Sequence, residues 1–319
     1  MKTLIVESED YSLKALALYK KLGQVYFCTS VEALKKQGPK FLADILVVRL
    51  KYAIDRFWID KMPNLKIIAT PTTGLNHIDI GYSKSKGIEI ISLRGHTGFL
   101  RNITSTAELA FGLMISLVRN INPAFENIKK ESQWDRMSFR GYQLSGKILG
   151  IIGYGRLGKI MARYGKALGM KIVAYDPYVK PARGVDFVSL EKLLKISDVV
   201  SLHALLTEKN HSFLKLKHFR LMKPTAYFIN TARAELIEKQ ALYKALSQKM
   251  IAGSAIDVMD NELSDGAHLK QDFLWKYAKA HDNLIITPHI GGATFEAMHI
   301  TEDFIAKEVE KFVKSGKLR

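Results

Sequence analysis

The chain has 319 residues, with 48 Lys and Arg against 31 Asp and Glu for a formal charge of +17, and it is 47% hydrophobic and 25% charged. Eight prolines and 22 glycines exclude a collagen-like or Pro-rich chain, and no apolar run reaches the roughly 20 residues that span a bilayer. The single cysteine, Cys28, excludes an intrachain disulfide framework and a Cys-based zinc site, and no metal is expected.

The length predicts about two domains, each able to bury a core. At the N-terminus, residues 3–6 read as a buried strand rather than a signal peptide, whose apolar region would be longer, so a cytoplasmic chain is expected. Further strands are predicted at 45–48, 67–69 and 88–92. The stretch 104–119, TSTAELAFGLMISLVR, is apolar almost all round. It predicts a helix buried between domains or at a dimer contact. Strands follow at 148–152, 171–175, 199–202, 226–230, 251–257 and 284–287, and a helix over 295–314 closes the chain. Continuous apolar runs of this length suit parallel strands covered on both faces, and their alternation with helical patterns predicts a parallel α/β architecture.

The positive charge permits a nucleic-acid partner. Its bases are scattered, however, the densest segment holding Lys209, Lys215, Lys217, Arg220 and Lys223, and no Cys/His finger spacing is present. Nucleic acid is therefore not the expected partner, and no membrane partner is expected.

The sharpest motif is Gly153-Tyr154-Gly155-Arg156-Leu157-Gly158, which follows the strand ILGII and opens a helix. Gly153 allows the tight turn, Gly155 lets a pyrophosphate approach the backbone, and Gly158 lets helix and strand pack closely. The helix N-terminus offers unpaired N–H groups to phosphate. Asp176 ends the next strand, where a carboxylate accepts from ribose hydroxyls and repels a 2′-phosphate, so NAD is expected over NADP.

Three ionisable residues follow later strands: Arg233 after AYFIN, Glu262 after Asp257-Val258, and His289 after LIIT. Singly each has an ordinary structural reading. Together, at strand ends beyond a dinucleotide fingerprint, they form a chemical set. The histidine exchanges a proton with a substrate hydroxyl, the glutamate supports it, and the arginine grips a carboxylate. That set suits reversible hydride transfer between a nicotinamide and a 2-hydroxy acid.

The chain resembles the D-isomer-specific 2-hydroxyacid dehydrogenases, relatives of phosphoglycerate, glycerate and D-lactate dehydrogenases. The resemblance runs from Thr72-Thr73-Gly74-Leu75-Asn76-His77-Ile78-Asp79 and Thr106-Ala107-Glu108 through the GYGRLG turn with Asp176-Pro177. It continues in Ser201-Leu202-His203, Met222-Lys223-Pro224, Asn230-Thr231-Ala232-Arg233, Ala255-Ile256-Asp257-Val258 and Thr287-Pro288-His289-Ile290-Gly291-Gly292. It implies two doubly wound, Rossmann-like parallel α/β domains. A substrate-binding domain of residues 1–101 and 292–319 would enclose an NAD-binding domain of residues 102–291.

The resemblance also implies His289 as acid/base with Glu262 as its partner, and Arg233 on the substrate carboxylate and carbonyl. The backbone N–H groups around Thr73 and Gly74 would hold that carboxylate. Asp257 would contact the nicotinamide carboxamide, with Arg156, Leu157 and Asp176 on pyrophosphate and ribose. Thr106, His203, Thr231 and Ala232 match cofactor-lining positions, beside Gly153, Tyr154, Gly155 and Gly158. A homodimer and a small 2-hydroxy or 2-oxo acid substrate are implied partners. The alternative reading is an NAD(H)-sensing, corepressor-type relative with little turnover.

The sequence departs from the family pattern at Ala234, at Asn76-His77, in a long segment 93–102 carrying Arg94, His96 and Arg101, and in a long loop expected over 264–282.

Overall fold

The computed structural model of the chain describes residues 1–28, 42–131, 134–260, 262 and 269–316. The chain divides into two compact units. One is formed by Met1–Asn102 and Ala293–Arg319, the other by Ile103–Glu262 and Gly266–Gly292.

The first unit contains strands β1 (Lys2–Val6), β2 (Gln24–Cys28), β3 (Ile45–Val47), β4 (Ile67–Thr70) and β5 (Glu89–Ser92). They form a parallel sheet in the order β2-β1-β3-β4-β5. Leu4, Val6, Leu46, Val48, Ile68 and Ile88 share one core with Ile54, Ile59 and Met62. The sequence pattern missed β2 because QVYFC is an edge strand. Its Tyr26 and Phe27 are exposed, so it lacks the buried run that marks the other strands.

The closing helix, Phe295–Lys314, is N-capped by the Thr294 hydroxyl, which accepts from the Ala297 N–H. It returns to this unit and packs along the helix Leu13–Leu22. Its Glu302 is wholly buried yet satisfied: it accepts from the Ser12 N–H at 2.8 Å and from Arg49 Nε at 2.9 Å. A buried charge held by a partner and a backbone donor fixes where the helix lands.

The second unit contains β6 (Ile148–Ile152), β7 (Lys171–Tyr175), β8 (Asp186–Phe187), β9 (Val199–Leu202), β10 (Tyr227–Asn230), β11 (Gly253–Ile256) and β12 (Leu284–Ile286). All are parallel, in the order β12-β11-β10-β9-β6-β7-β8. Successive residues serve opposite faces. Phe228, Val200 and Ile152 enter one core, and Ile229, Val199 and Ile151 the other. Two-residue β8 left no readable run in the sequence.

The predicted apolar helix is Ser105–Val118, and it buries Ala107, Ala110, Leu113, Met114, Leu117 and Val118. Next comes Ile121–Glu131, which buries no residue and exposes Ile121, Phe125 and Ile128 at helical spacing.

Two segments read as loops contain helix. Phe273–Ala280 is N-capped by Asp272, whose carboxylate accepts from the Leu274 and Trp275 N–H groups, and it buries Tyr277. Residues 264–268 of that expected loop lie outside the described residues. In the long segment 93–102, Thr97–Leu100 forms one helical turn, Phe99 stacks on Phe304 at 3.9 Å and His96 meets the same ring edge-on.

No helix among the described residues is long and apolar enough to cross a membrane. Among them no group of three or more His, Cys, Asp or Glu is placed to hold a metal ion.

Candidate active site

The strand register of the second unit aligns the candidate residues. Tyr175, Ile152, Leu202, Asn230, Ile256 and Ile286 pair in one row across β7, β6, β9, β10, β11 and β12. The residue following each is Asp176, Gly153, His203, Thr231, Asp257 and Thr287. Six strand ends therefore present their first loop residues along one carboxyl edge, where open parallel sheets bind ligands.

The glycine turn is built for close approach. Gly153 has φ +89°, and a Cβ there would strike the backbone of His203 and Ala204. A Cβ on Gly158 would meet the Gly153 carbonyl, so helix and strand touch only because both positions lack side chains. Gly155 caps the helix Arg156–Ala167 and has open space where its Cβ would be. The Tyr154 ring lies in the core, edge-on to Phe187, so its contribution to the turn is its amide. That amide donates to Asp176 Oδ2 at 2.8 Å, while the Tyr178 amide donates to Oδ1 at 2.9 Å. Asp176 thus ties the turn to the end of β7. The Arg156 guanidinium donates to the Ile103 carbonyl. Leu157 stands half-buried in the first turn of that helix.

Two buried polar atoms on this edge lack a protein partner among the described residues: His203 Nδ1 and Thr231 Oγ1. His203 Nε2 pairs with Ser201 Oγ at 2.8 Å, and burial pushes its imidazole down to about 4, so the ring is neutral at physiological pH. Open backbone at a helix N-terminus, an acid at the ribose position and two orphaned buried groups in the same row fit a dinucleotide.

Asp257 is 1% exposed and accepts three hydrogen bonds. Thr287 Oγ1 at 2.6 Å and the Ile290 amide at 2.9 Å reach Oδ1, and the Gly291 amide at 2.8 Å reaches Oδ2. Burial outweighs these donors and raises its pKa above the ordinary carboxylate value. The carboxylate therefore folds the turn 287–291 around itself. Within that turn His289 adopts φ +54°, a left-handed conformation rare for a non-glycine residue. Thr106, in the first turn of Ser105–Val118, backs the same turn: a Cβ on Gly291 would come within 3.0 Å of its Cγ2.

His289 Nδ1 lies 2.7 Å from Glu262 Oε1, and both side chains keep partial solvent access. Glu262 Oε2 also accepts from the Met259 amide at 3.3 Å. The pairing orients the ring through Nδ1 and leaves Nε2 outside it.

Arg233 follows β10 on the same edge. Buried Asn230 shapes its turn, accepting from the Ala232 amide at 2.9 Å and donating to the Arg233 carbonyl at 3.0 Å. The guanidinium donates to the Ala232 carbonyl at 2.6 Å.

Thr73 and Gly74 lie in the first unit, just past β4. Neither amide donates to a protein acceptor among the described residues. Sequence reasoning missed the organising roles of Asn230 and Thr287. Both stood inside quoted motifs, but only hydrogen-bond geometry separates a residue that shapes a turn from one that faces a ligand.

Residues 111–291 match the family described as D-isomer specific 2-hydroxyacid dehydrogenase, NAD binding domain. The chain is similar to a glyoxylate reductase of Thermococcus litoralis, 36% identical over 281 residues, covering 85% of this chain and 81% of the relative. It is also similar to a D-3-phosphoglycerate dehydrogenase of Methanocaldococcus jannaschii, 34% identical over 308 residues. That alignment covers 94% of this chain and 55% of the relative, so the chain spans about half of that protein's length. Among solved structures, D-lactate dehydrogenase from Aquifex aeolicus complexed with NAD and lactic acid matches with a TM-score of 0.79 at 30% identity, over 98% of this chain and 96% of that one.

Proposed function

Starting from the fact that this chain belongs to the D-isomer-specific 2-hydroxyacid dehydrogenases, NAD-dependent oxidoreductases of CH–OH groups, we propose that it interconverts a small D-2-hydroxy acid and its 2-oxo acid with named residues in defined roles. The observation that carries the assignment of roles is the 2.7 Å His289–Glu262 pair at the edge where six strand ends align.

When bound, the nicotinamide exchanges a hydride with the C2 carbon of the substrate. The chain supplies the rest. His289 Nε2 gives a proton to the carbonyl oxygen in reduction and takes it from the hydroxyl in oxidation. Glu262 holds the ring by Nδ1 and so fixes its orientation. Arg233 binds the substrate carboxylate through its guanidinium and polarises the adjacent carbonyl. Within the first unit, the amides of Thr73 and Gly74 offer two donors to a carboxylate, in keeping with a substrate-binding domain.

On the cofactor side, the turn from Gly153 to Gly158 takes the pyrophosphate, and Asp176 takes the ribose hydroxyls and selects NAD over NADP. Thr106, His203, Thr231, Ala232 and Asp257 line the remainder.

The chain acts as a homodimer in this reading. Phe125 is 61% exposed on a helix that buries nothing, between Ile121 and Ile128, and Trp134 just beyond is 91% exposed. A second copy covering this stripe accounts for its composition. Phe125→Glu should then shift the mass in light scattering from dimer to monomer, and a monomeric parent protein would refute the assembly.

The decisive test mixes purified protein and NADH with a panel of 2-oxo acids and follows nicotinamide absorbance. Oxidation of NADH with at least one small 2-oxo acid is expected. Saturable NADH binding with no turnover on any member would overturn the catalytic reading.

A further inference from the structure

The loop after β4 carries a hydrogen-bond chain whose direction can be deduced from its end. Thr72 Oγ1 lies 2.7 Å from the Gly74 carbonyl, which can only accept, so the Thr72 hydroxyl spends its proton there. Thr70 Oγ1 lies 2.9 Å from Thr72 Oγ1, and the only proton left for that contact is that of Thr70. His77 Nε2 lies 3.3 Å from Thr70 Oγ1, so the ring nitrogen must be the donor. The sequence of donations runs from His77 Nε2–H to Thr70, from Thr70 to Thr72, and from Thr72 to the Gly74 carbonyl. His77 is 2% exposed, and its main-chain carbonyl accepts from the Ile54 amide at 2.6 Å, so the head of the chain is anchored in the core. The Thr72 carbonyl accepts from the Leu93 amide at 3.0 Å, which fastens the other end to the exit of β5.

The Thr72-to-Gly74 bond closes a ring over the two residues whose amides have no protein acceptor among the described residues, Thr73 and Gly74. We propose that Thr72 and His77 are positioning residues that hold these two amides in register for a substrate carboxylate, with His77 kept as the Nε2–H tautomer. This rests on the carboxylate-binding role proposed above for Thr73 and Gly74. The mechanism is preorganisation: a loop already closed on itself loses less conformational freedom when the anion arrives. Each link is an ordinary neutral hydrogen bond, and low surrounding polarity lets the links reinforce one another.

The test uses the full chain. Oxalate serves as an unreactive carboxylate probe, titrated into the NADH-loaded protein, alongside steady-state kinetics with the best 2-oxo acid. Thr72→Val removes the hydroxyl and keeps the branched shape. It should weaken oxalate binding and raise KM roughly 2- to 13-fold, the loss expected for one net hydrogen bond, with kcat and NADH affinity within twofold of the parent. Thr72→Ser should restore most of the loss. Equal oxalate affinity in parent and Thr72→Val, with normal turnover in both, would overturn this inference and leave the catalytic reading standing. A parent that binds NADH but neither oxalate nor any 2-oxo acid would overturn both. Where Thr72→Val fails to fold, nitrogen NMR of the parent labelled on histidine decides: a proton on His77 Nε2 is expected, and a bare Nε2 overturns the inference.

Discussion

The two parallel sheets treat their carboxyl edges in opposite ways. Along the seven-stranded edge, polar groups stand open: His203 Nδ1 and Thr231 Oγ1 have no protein partner among the described residues, and Gly155 offers bare backbone. Along the five-stranded edge, the side-chain polar groups close on one another. Arg49 is bound to Glu302, Glu7 accepts from the Lys51 amide, and His77, Thr70 and Thr72 pass a chain of donors to Gly74. An edge whose donors are left unpaired carries a desolvation cost that a ligand can relieve, whereas an edge satisfied internally keeps a loop in shape. The two units thus differ in which polar groups are left open: side chains and glycine backbone along one edge, two loop amides at Thr73 and Gly74 along the other.

The sharpest way to break this contrast is to remove the acid/base from the open edge. His289→Asn is preferable to alanine, because asparagine tolerates the φ of +54° that this position adopts. Turnover should fall about 100- to 10,000-fold while NADH titration is nearly unchanged. Glu262→Gln should cost less, since it retains a hydrogen bond to Nδ1 and removes only the charge. Near-parental turnover in His289→Asn would refute the assignment.

Asp257 tests whether the open edge also depends on a closed element. Asp257→Asn can accept with only one oxygen and turns an NH2 group toward donors now held by the carboxylate, leaving a buried amide unsatisfied at a cost of about 1–3 kcal/mol. A shift of roughly 2–4 °C in Tm per kcal/mol is expected for a unit of this size. Because His289 rides on the turn that Asp257 folds, kcat should drop by up to about 100-fold. A variant that loses stability but keeps kcat would show that the turn holds its shape without the carboxylate.

How much of this was legible in the sequence also differs between the units. In the second unit, buried parallel strands wrote continuous apolar runs, and the glycine turn had a steric reason at each glycine, so strands and turn could be read directly and Arg233, Glu262 and His289 could be singled out as candidates. What stayed hidden was how the residues divide the work. Asp257 is expected as a cofactor contact, and in the structure its carboxylate also accepts three hydrogen bonds from the turn that carries His289. In the first unit, β2 escaped because an edge strand with exposed Tyr26 and Phe27 lacks the buried pattern. His77 registered only as an odd residue in a motif. Its link to Thr72 through Thr70 depends on two side chains pointing to one side of a loop, which no spacing rule encodes.

Asp176 sharpens the comparison on the cofactor side, with a smaller effect. Its two oxygens each hold one backbone amide and retain lone pairs for ribose hydroxyls. Asp176→Ala should reduce the preference for NADH over NADPH about 10- to 150-fold by removing charge-assisted contacts, and should raise KM for both cofactors modestly by loosening the turn at Tyr154. Equal kcat/KM for the two cofactors in the parent would sink the claim.

The smallest effect on activity, and the most direct probe of the closed edge, is expected at Glu7. This residue follows β1 with φ +65°, and burial raises its carboxyl from 4.5 to about 7 despite the Lys51 amide and the nearby Arg49 guanidinium. A carboxyl whose pKa is higher in the folded chain resists ionisation there. As pH rises from about 4.5 to about 7 the unfolded chain gives up its proton first, so folding stability falls across that window and levels off above it. Glu7→Gln has no proton to lose, and its amide oxygen can still accept from Lys51. The variant should therefore match the parent near the lower end of the window and exceed it by about 1–3 kcal/mol at pH 8, the upper figure being discounted for partial exposure. Paired melting curves at the two pH values measure the difference, with turnover at pH 8 as the control. A gain of equal size at both pH values would mean that Glu7 acts through packing rather than charge. A large fall in turnover would place Glu7 on substrate and refute a purely structural role for it.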